Sequence, residues 1–186
     1  MGYGRRRLFR NLWASLAVVG VIASIGWGLP AINSEIPAER PVSASRPYPV
    51  GAGVTVVPPR GTSLDATQTA PGVTGGQVLF YIGGVRYAVV VGPFTGTLSA
   101  AAAKLRAQIT STRGYQVTGP ESAIVTSAGV AGRQGMYASS GRDGRYAVFV
   151  DRGLAVNVTL AGNDVDLRPL LRKIESSVMT ISFGTT

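Results

Sequence analysis

Few side chains in this 186-residue sequence have types and spacings that could act on a substrate, and their chemistry is limited at once. There is no cysteine and no histidine. Disulfides, thiol nucleophiles, thiolate or imidazole zinc sites and every triad with an imidazole base are thereby excluded. What remains is Arg142, Arg145 and Arg152, the aspartates Asp143, Asp151, Asp164 and Asp166, and two lysines, Lys104 and Lys173. The arginines invite an anion site, but Arg145 opens a predicted strand and Arg152 lies in the turn beyond its far end, roughly 20 Å away at ~3.3 Å per residue. Solvated turn arginines account for them better. The aspartates fall at predicted turns and helix caps, where that residue is expected without any catalytic role. Both lysines map to helix exteriors, so a serine–lysine dyad has no support. Gly72-Val73-Thr74-Gly75-Gly76 precedes a strand and no helix, and so lacks the strand–loop–helix context of a phosphate cradle. Asn157-Val158-Thr159 fits a glycosylation sequon but reads as mid-strand, where it is expected to be silent. No catalytic, cofactor-binding or metal-ligating residue is assigned, and an enzyme is not expected.

The elements that would position a partner begin at the N-terminus. Residues 12–32 hold no charged side chain, and Arg5, Arg6, Arg7 and Arg10 stand immediately before them. Twenty-one residues at about 1.5 Å each reach roughly 30 Å as one helix, the thickness of a hydrocarbon core. Because basic residues flanking a span stay on the cytoplasmic side, the expectation is a single-pass plasma-membrane protein with its N-terminus inside and the remainder extracytoplasmic. Trp13 and Trp27 lie near the two interfaces, and Gly20, Ser24 and Gly28 share one helix face through which a homodimer could form. A cleaved signal peptide is the rival, but the run is longer than a secretory h-region and leads into Asn33-Ser34-Glu35-Ile36, with no pair of small residues for cleavage. Arg6-Arg7-Leu8-Phe9 resembles the start of a twin-arginine signal and departs from it at Arg10.

The formal charge of +9 is in part a topology signal. Residues 79–186 hold 11 basic and 6 acidic side chains, a net of +5, spread without a nucleic-acid-binding motif. No nucleic-acid partner is expected. The predicted organisation is a cytoplasmic tail at 1–11, a transmembrane helix at 12–32, a proline-rich linker at 33–50 and an extracytoplasmic α+β domain at 51–186. In the linker Pro37, Pro41, Pro47 and Pro49 forbid a regular helix or a central strand.

Within the domain, 54–57 is a short β run stopped by Pro58-Pro59, and 60–76 reads as loop. The runs 77–82 and 85–91 around Gly83-Gly84 predict a hairpin with Val85, Tyr87, Val89 and Val91 on one face. Leu98, Ala101, Ala102, Leu105 and Ile109 form a helical stripe that Thr97 can cap, with Arg113 in the last turn and Gly114 at the stop. Strands are predicted at 115–118, 123–127, 131–139, 145–150 and 154–160, with Gly141-Arg142-Asp143-Gly144 as a turn, giving an antiparallel meander. A second amphipathic helix spans 167–178, capped by Asp166, with Pro169 in its first turn. A last strand falls at 179–183. The fold class expected is α+β, an antiparallel sheet flanked by two amphipathic helices as an α-β-α sandwich, preceded by one N-terminal transmembrane helix.

That order of parts resembles the PsbP-like fold. The resemblance rests on the Val54 strand, the Gly83-Gly84 hairpin, the helix after Gly92-Pro93-Phe94-Thr95-Gly96-Thr97-Leu98, the Gly132-Arg133-Gln134-Gly135 strand, Gly144-Arg145-Tyr146-Ala147-Val148-Phe149-Val150 and the C-terminal helix–strand pair. It covers roughly residues 51–186 and is similar in particular to single-span envelope proteins of actinobacteria, a source that the arginine-rich usage also fits. Thr62, after Gly61, departs from the aromatic often found there. The resemblance implies a non-catalytic accessory or scaffold domain that binds an envelope protein partner, with no cofactor and no transferable site residues. A module for an anionic lipid or polymer is the alternative, and an envelope hydrolase a more distant one.

Overall fold

The computed structural model describes residues 39–44 and 46–184. Among the described residues twelve strands are interrupted by two helices. In chain order they are β1 (Glu39–Pro41), β2 (Tyr48–Gly51), β3 (Val54–Val56), β4 (Ser63–Asp65), β5 (Ala70–Pro71), β6 (Gly76–Ile82), β7 (Val85–Pro93), α1 (Leu98–Ser111), β8 (Gln116–Val125), β9 (Ala131–Ser139), β10 (Arg142–Asp151), β11 (Leu154–Gly162), α2 (Asp164–Val178) and β12 (Ser182–Phe183). A nine-stranded sheet runs β1-β4-β6-β7-β11-β10-β9-β8, with β5 also paired to β6. A second, three-stranded sheet runs β12-β3-β2. Every pairing is antiparallel.

The expected α-β-α sandwich is not what forms. The domain is β-dominated, and α2 shares one face of the large sheet with the whole second sheet, so that face is not a helical layer. The physical reason lies in short segments too brief to show a period. Residues 39–50, expected within the linker, supply β1 and β2; 60–76, expected as loop, supplies β4 and β5; and the last strand leaves the large sheet to pair with β3. Proline limits these strands to edges and ends, as at Pro41 and Pro71, but does not abolish them. The N-terminal transmembrane helix of that expectation is not supported either, since residues 12–32 lie outside those described. Among the described residues no helix is long and apolar enough to cross a membrane.

Alternation along the strands builds two unequal cores. On one face Val85, Tyr87, Val89 and Val91 of β7 join Phe149, Val156 and Val158 beneath Val50, Val54 and Ile181 of the small-sheet layer and Leu167, Ile174 and Val178 of α2. On the other, Ala101, Ala102, Leu105 and Ile109 of α1 pack on Tyr137, Tyr146 and Val148. The Gly83-Gly84 hairpin is present, with Ile82 opposite Val85. Thr97 caps α1, its hydroxyl accepting from the Ala100 amide at 3.2 Å. Arg113 lies past the last turn, because the helix already stops at Thr112.

Three local expectations change. Asn163 caps α2 by accepting the Asp166 amide at 2.8 Å, which places Asp166 inside the first turn. Residues 115–127 hold one strand, β8, with its register shifted between Thr118 and Ser122. Arg142, Asp143 and Gly144 belong to β10, the turn being Ser140 and Gly141. Thr62 is buried, and its hydroxyl donates to the Pro59 carbonyl at 2.6 Å, so a polar clamp holds the bend that an aromatic would fill.

Strand direction gives the domain two poles. The turns at 51–53, 72–75, 126–130 and 152–153, with the start of α1, lie at one. The turns at 83–84 and 140–141, with the start of α2, lie at the other.

Candidate functional site

The residues assigned from sequence to topology, interface and helix contact (Arg5, Arg6, Arg7, Arg10, Trp13, Trp27, Gly20, Ser24 and Gly28) fall outside the described residues. The candidate anion site does not assemble. Arg145 forms an ion pair with Glu175 of α2, on the face carrying the larger core. Arg152 turns at the end of β10, donating to the Gly184 carbonyl at 2.8 Å and lying 3.5 Å from Asp151. Asp164 engages Arg168 one helical turn on at 2.7 Å. Lys104 and Lys173 are exposed on their helices. Among the described residues no three acidic side chains come together in an arrangement that could hold a metal ion.

The sequon is closed off. Asn157 stands in β11 between Val90 of β7 and Val148 of β10, with its Oδ1 buried, and Thr159 is buried too.

The glycine run 72–76 is explained by packing of backbones. A Cβ at Gly76 would collide with the Val50 carbonyl, one at Gly51 with the Gly75 carbonyl, and one at Gly75 would stand 2.9 Å from the Val91 carbonyl. Three chains therefore meet without side chains between them, tied by the Ala52 amide donating to the Gly72 carbonyl at 2.8 Å. This junction joins the small sheet to the large one. It also leaves an open groove of about 420 Å³ lined by Pro49, Ala52, Val54, Pro71 and Val73 together with glycine backbone. Val73, at the rim, is 94% exposed.

A carboxylate that no sequence motif marks, Glu121, gathers a polar cluster from four elements. Glu121 follows Pro120 at the irregularity of β8, and its side chain is only 8% exposed. It accepts from the Tyr146 hydroxyl at 2.9 Å and pairs with Arg106 of α1 and Arg133 of β9, each at 3.4 Å. Burial first, and then the Glu121 carboxylate, raise the Tyr146 phenol above its ordinary pKa. A phenol held protonated against an occupied carboxylate is a poor general base, and the cluster ties α1 to three strands. Its four members come from four elements, so no spacing in the sequence marks it. The two buried tyrosine rings of this face lie over glycines: a Cβ at Gly135 would stand 2.5 Å from Tyr146, and one at Gly144 would collide with Tyr137.

Two antiparallel sheets sharing a core with one helix, and a second helix on the far face, define a class of β-dominated domain, which comparison with solved structures identifies as PsbP-like. The solution structure of cyanobacterial PsbP (CyanoP) from Synechocystis sp. PCC 6803 is similar with a TM-score of 0.54 at 13% identity, covering 82% of this chain and 98% of that one. The crystal structure of LpqN, involved in cell envelope biogenesis of Mycobacterium tuberculosis, is similar with a TM-score of 0.54 at 14% identity, covering 75% of this chain and 91% of that one. No protein-family model and no curated protein sequence matches the chain. The likeness to the two structures establishes the fold.

Proposed function

We propose that this protein is a membrane-anchored, extracytoplasmic interaction or accessory domain of a bacterial cell envelope, working by binding a partner protein and not by catalysis. Residues 12–32 cross the plasma membrane once, and the arginines before them hold the N-terminus in the cytoplasm. One juxtaposition carries this reading: a charge-free run of membrane length behind four arginines is followed, after six intervening residues, by the first described strand of a folded domain. The envelope role of LpqN, which has a similar fold, supports the setting, and arginine-rich usage supports an actinobacterial source. The engagement of Glu121 and Glu175 in ion pairs that join structural elements, and of Asp164 in a pair within α2, supports a non-catalytic role. Protease added outside intact cells is expected to remove the domain and leave a short membrane-bound stub. Full protection of the domain until the cells are permeabilised would overturn the orientation.

Binding of an anionic lipid or polymer is a second reading, favoured by Arg46 and Arg60, both exposed in loops of the pole that carries the start of α2. Such binding should weaken steeply with added salt.

A further inference from the structure

The two poles differ in what they expose. Among the turn residues at 51–53, 72–75, 94–97, 126–130 and 152–153 the only charged side chain is Arg152, and it is already engaged with Asp151 and Gly184. At that pole stand Val73, 94% exposed beside the apolar groove, and Val125, 50% exposed at the end of β8. The opposite pole carries Arg46, Arg60 and the acidic first turn of α2, where Val165 is exposed between Asp164 and Asp166 with no apolar groove beside it among the described residues. The groove with Val73 at its rim is the apolar surface that can take an occupant, and the direction of the chain supplies one.

Glu39 pairs with Asp65, and β4 pairs with β6 so that Asp65 stands level with Leu79. Traced backwards, β1 points along β6 towards Gly76 and the turn that carries Val73. The chain thus enters the domain from its apolar pole. From Leu79 to Gly76 is about 10 Å at 3.4 Å per residue, so the turn tips project at least that far past Glu39 towards the incoming chain. The seven steps from Ile32 to Glu39 can span on the order of 25 Å at most, at about 3.6 Å per residue. Subtracting the projection leaves too little tether to hold the turn tips far from a bilayer whose headgroup zone is itself several Å deep.

We infer that this pole rests on the outer leaflet of the membrane, with Val73 and the groove edge at Pro71 and Ala52 as the apolar contact. The occupant is the lipid surface, and the inference rests on residues 12–32 being the membrane span proposed above. Contact through apolar tips with one arginine predicts an association governed by burial and little affected by salt. The pole carrying Arg46, Arg60 and the start of α2 then points away, free for a partner.

The chain has no cysteine, so single-cysteine variants report one site each. Val73→Cys and Val165→Cys change the same residue type at opposite poles, and both valines are largely exposed, at 94% and 82%. The full chain, reconstituted into phosphatidylcholine–phosphatidylglycerol vesicles, is labelled at either site with an environment-sensitive fluorophore and challenged with nitroxide-bearing lipid. The expected result is a blue-shifted emission and several-fold greater quenching at position 73 than at 165, unchanged in high salt, with Val125→Cys between them. Equal exposure of positions 73 and 165 to water, or stronger quenching at 165, in protein that still floats with the vesicles overturns the docking while leaving the span intact. Protein that fails to float overturns the span and the docking with it.

Discussion

The two faces of the large sheet are held by different physics. Between the sheet, α2 and the small-sheet layer, branched aliphatic and aromatic residues interdigitate, and the main polar feature is the Tyr87 hydroxyl 3.2 Å from the Ser177 hydroxyl, which in turn donates to the Val57 carbonyl. Under α1 the apolar layer is thin, two of its four buried helix residues being alanines. There the attachment relies on tyrosines with fixed partners: Tyr137 donates to the Leu160 carbonyl at 2.7 Å and Tyr146 to Glu121. One face is specified by volume and the other by a few directed contacts.

The largest effect should come from the face specified by volume. Phe149→Ala removes a fully buried ring that also covers Gly132, and is expected to cost about 3–5 kcal/mol in denaturant unfolding. Leu105→Ala on the opposite face is expected at the lower end of the roughly 2–5 kcal/mol range for such truncations, because its neighbours Ala101 and Ala102 leave a shallower cavity. Equal losses at the two sites would erase the contrast.

Directed contacts come next. Tyr146→Phe keeps the ring and deprives a nearly buried carboxylate of a donor, at an expected cost of about 1.5–3 kcal/mol. Tyr87→Phe leaves Ser177 bonded to Val57 and is expected to cost about 0.5–1.5 kcal/mol. The pH dependence has the same origin. Burial raises the phenols of Tyr87 and Tyr137 above their ordinary range. The folded state keeps these protons where the unfolded chain releases them, near pH 10, so stability should fall as pH rises past that point. Urea midpoints measured from pH 8 to 11 test this, and a flat profile in the wild-type protein, or an unchanged slope in Tyr87→Phe, would contradict it.

How far the sequence foretold this division depends on element length. The Leu98–Ile109 stripe, the Gly83-Gly84 hairpin and the run Leu154–Leu160 carry their period over enough residues to be read, and all three form as expected. Strands of two to four residues carry none, so β1, β2, β4 and β5 read as linker or loop from the sequence, and the second sheet is hidden with them. Residues 72–75 are legible as a loop, whereas Gly76 opens β6 and the backbone junction with Gly51 depends on a contact between distant segments. Glu121 was illegible for a related reason: a carboxylate is identified as buried only by the cations and phenol that reach it, here from α1, β9 and β10.

The smallest expected effect separates a surface ion pair from that keyed cluster. Arg145 and Glu175 form the main charged contact between the large sheet and α2, but both side chains are more than a third exposed. Water screens such a pair and each long side chain gives up rotamer freedom to form it, so Arg145→Ala is expected to cost about 0–1 kcal/mol, diminishing further in high salt. Arg133→Ala removes one of two arginines from Glu121, whose carboxylate has little water to replace it, and should cost more and respond less to salt. A double-mutant cycle on each pair measures the two couplings directly. A coupling for Arg145 with Glu175 as large as that for Arg133 with Glu121 would mean that α2 is held to the sheet by charge as much as by the apolar contacts of Leu167, Ile174 and Val178.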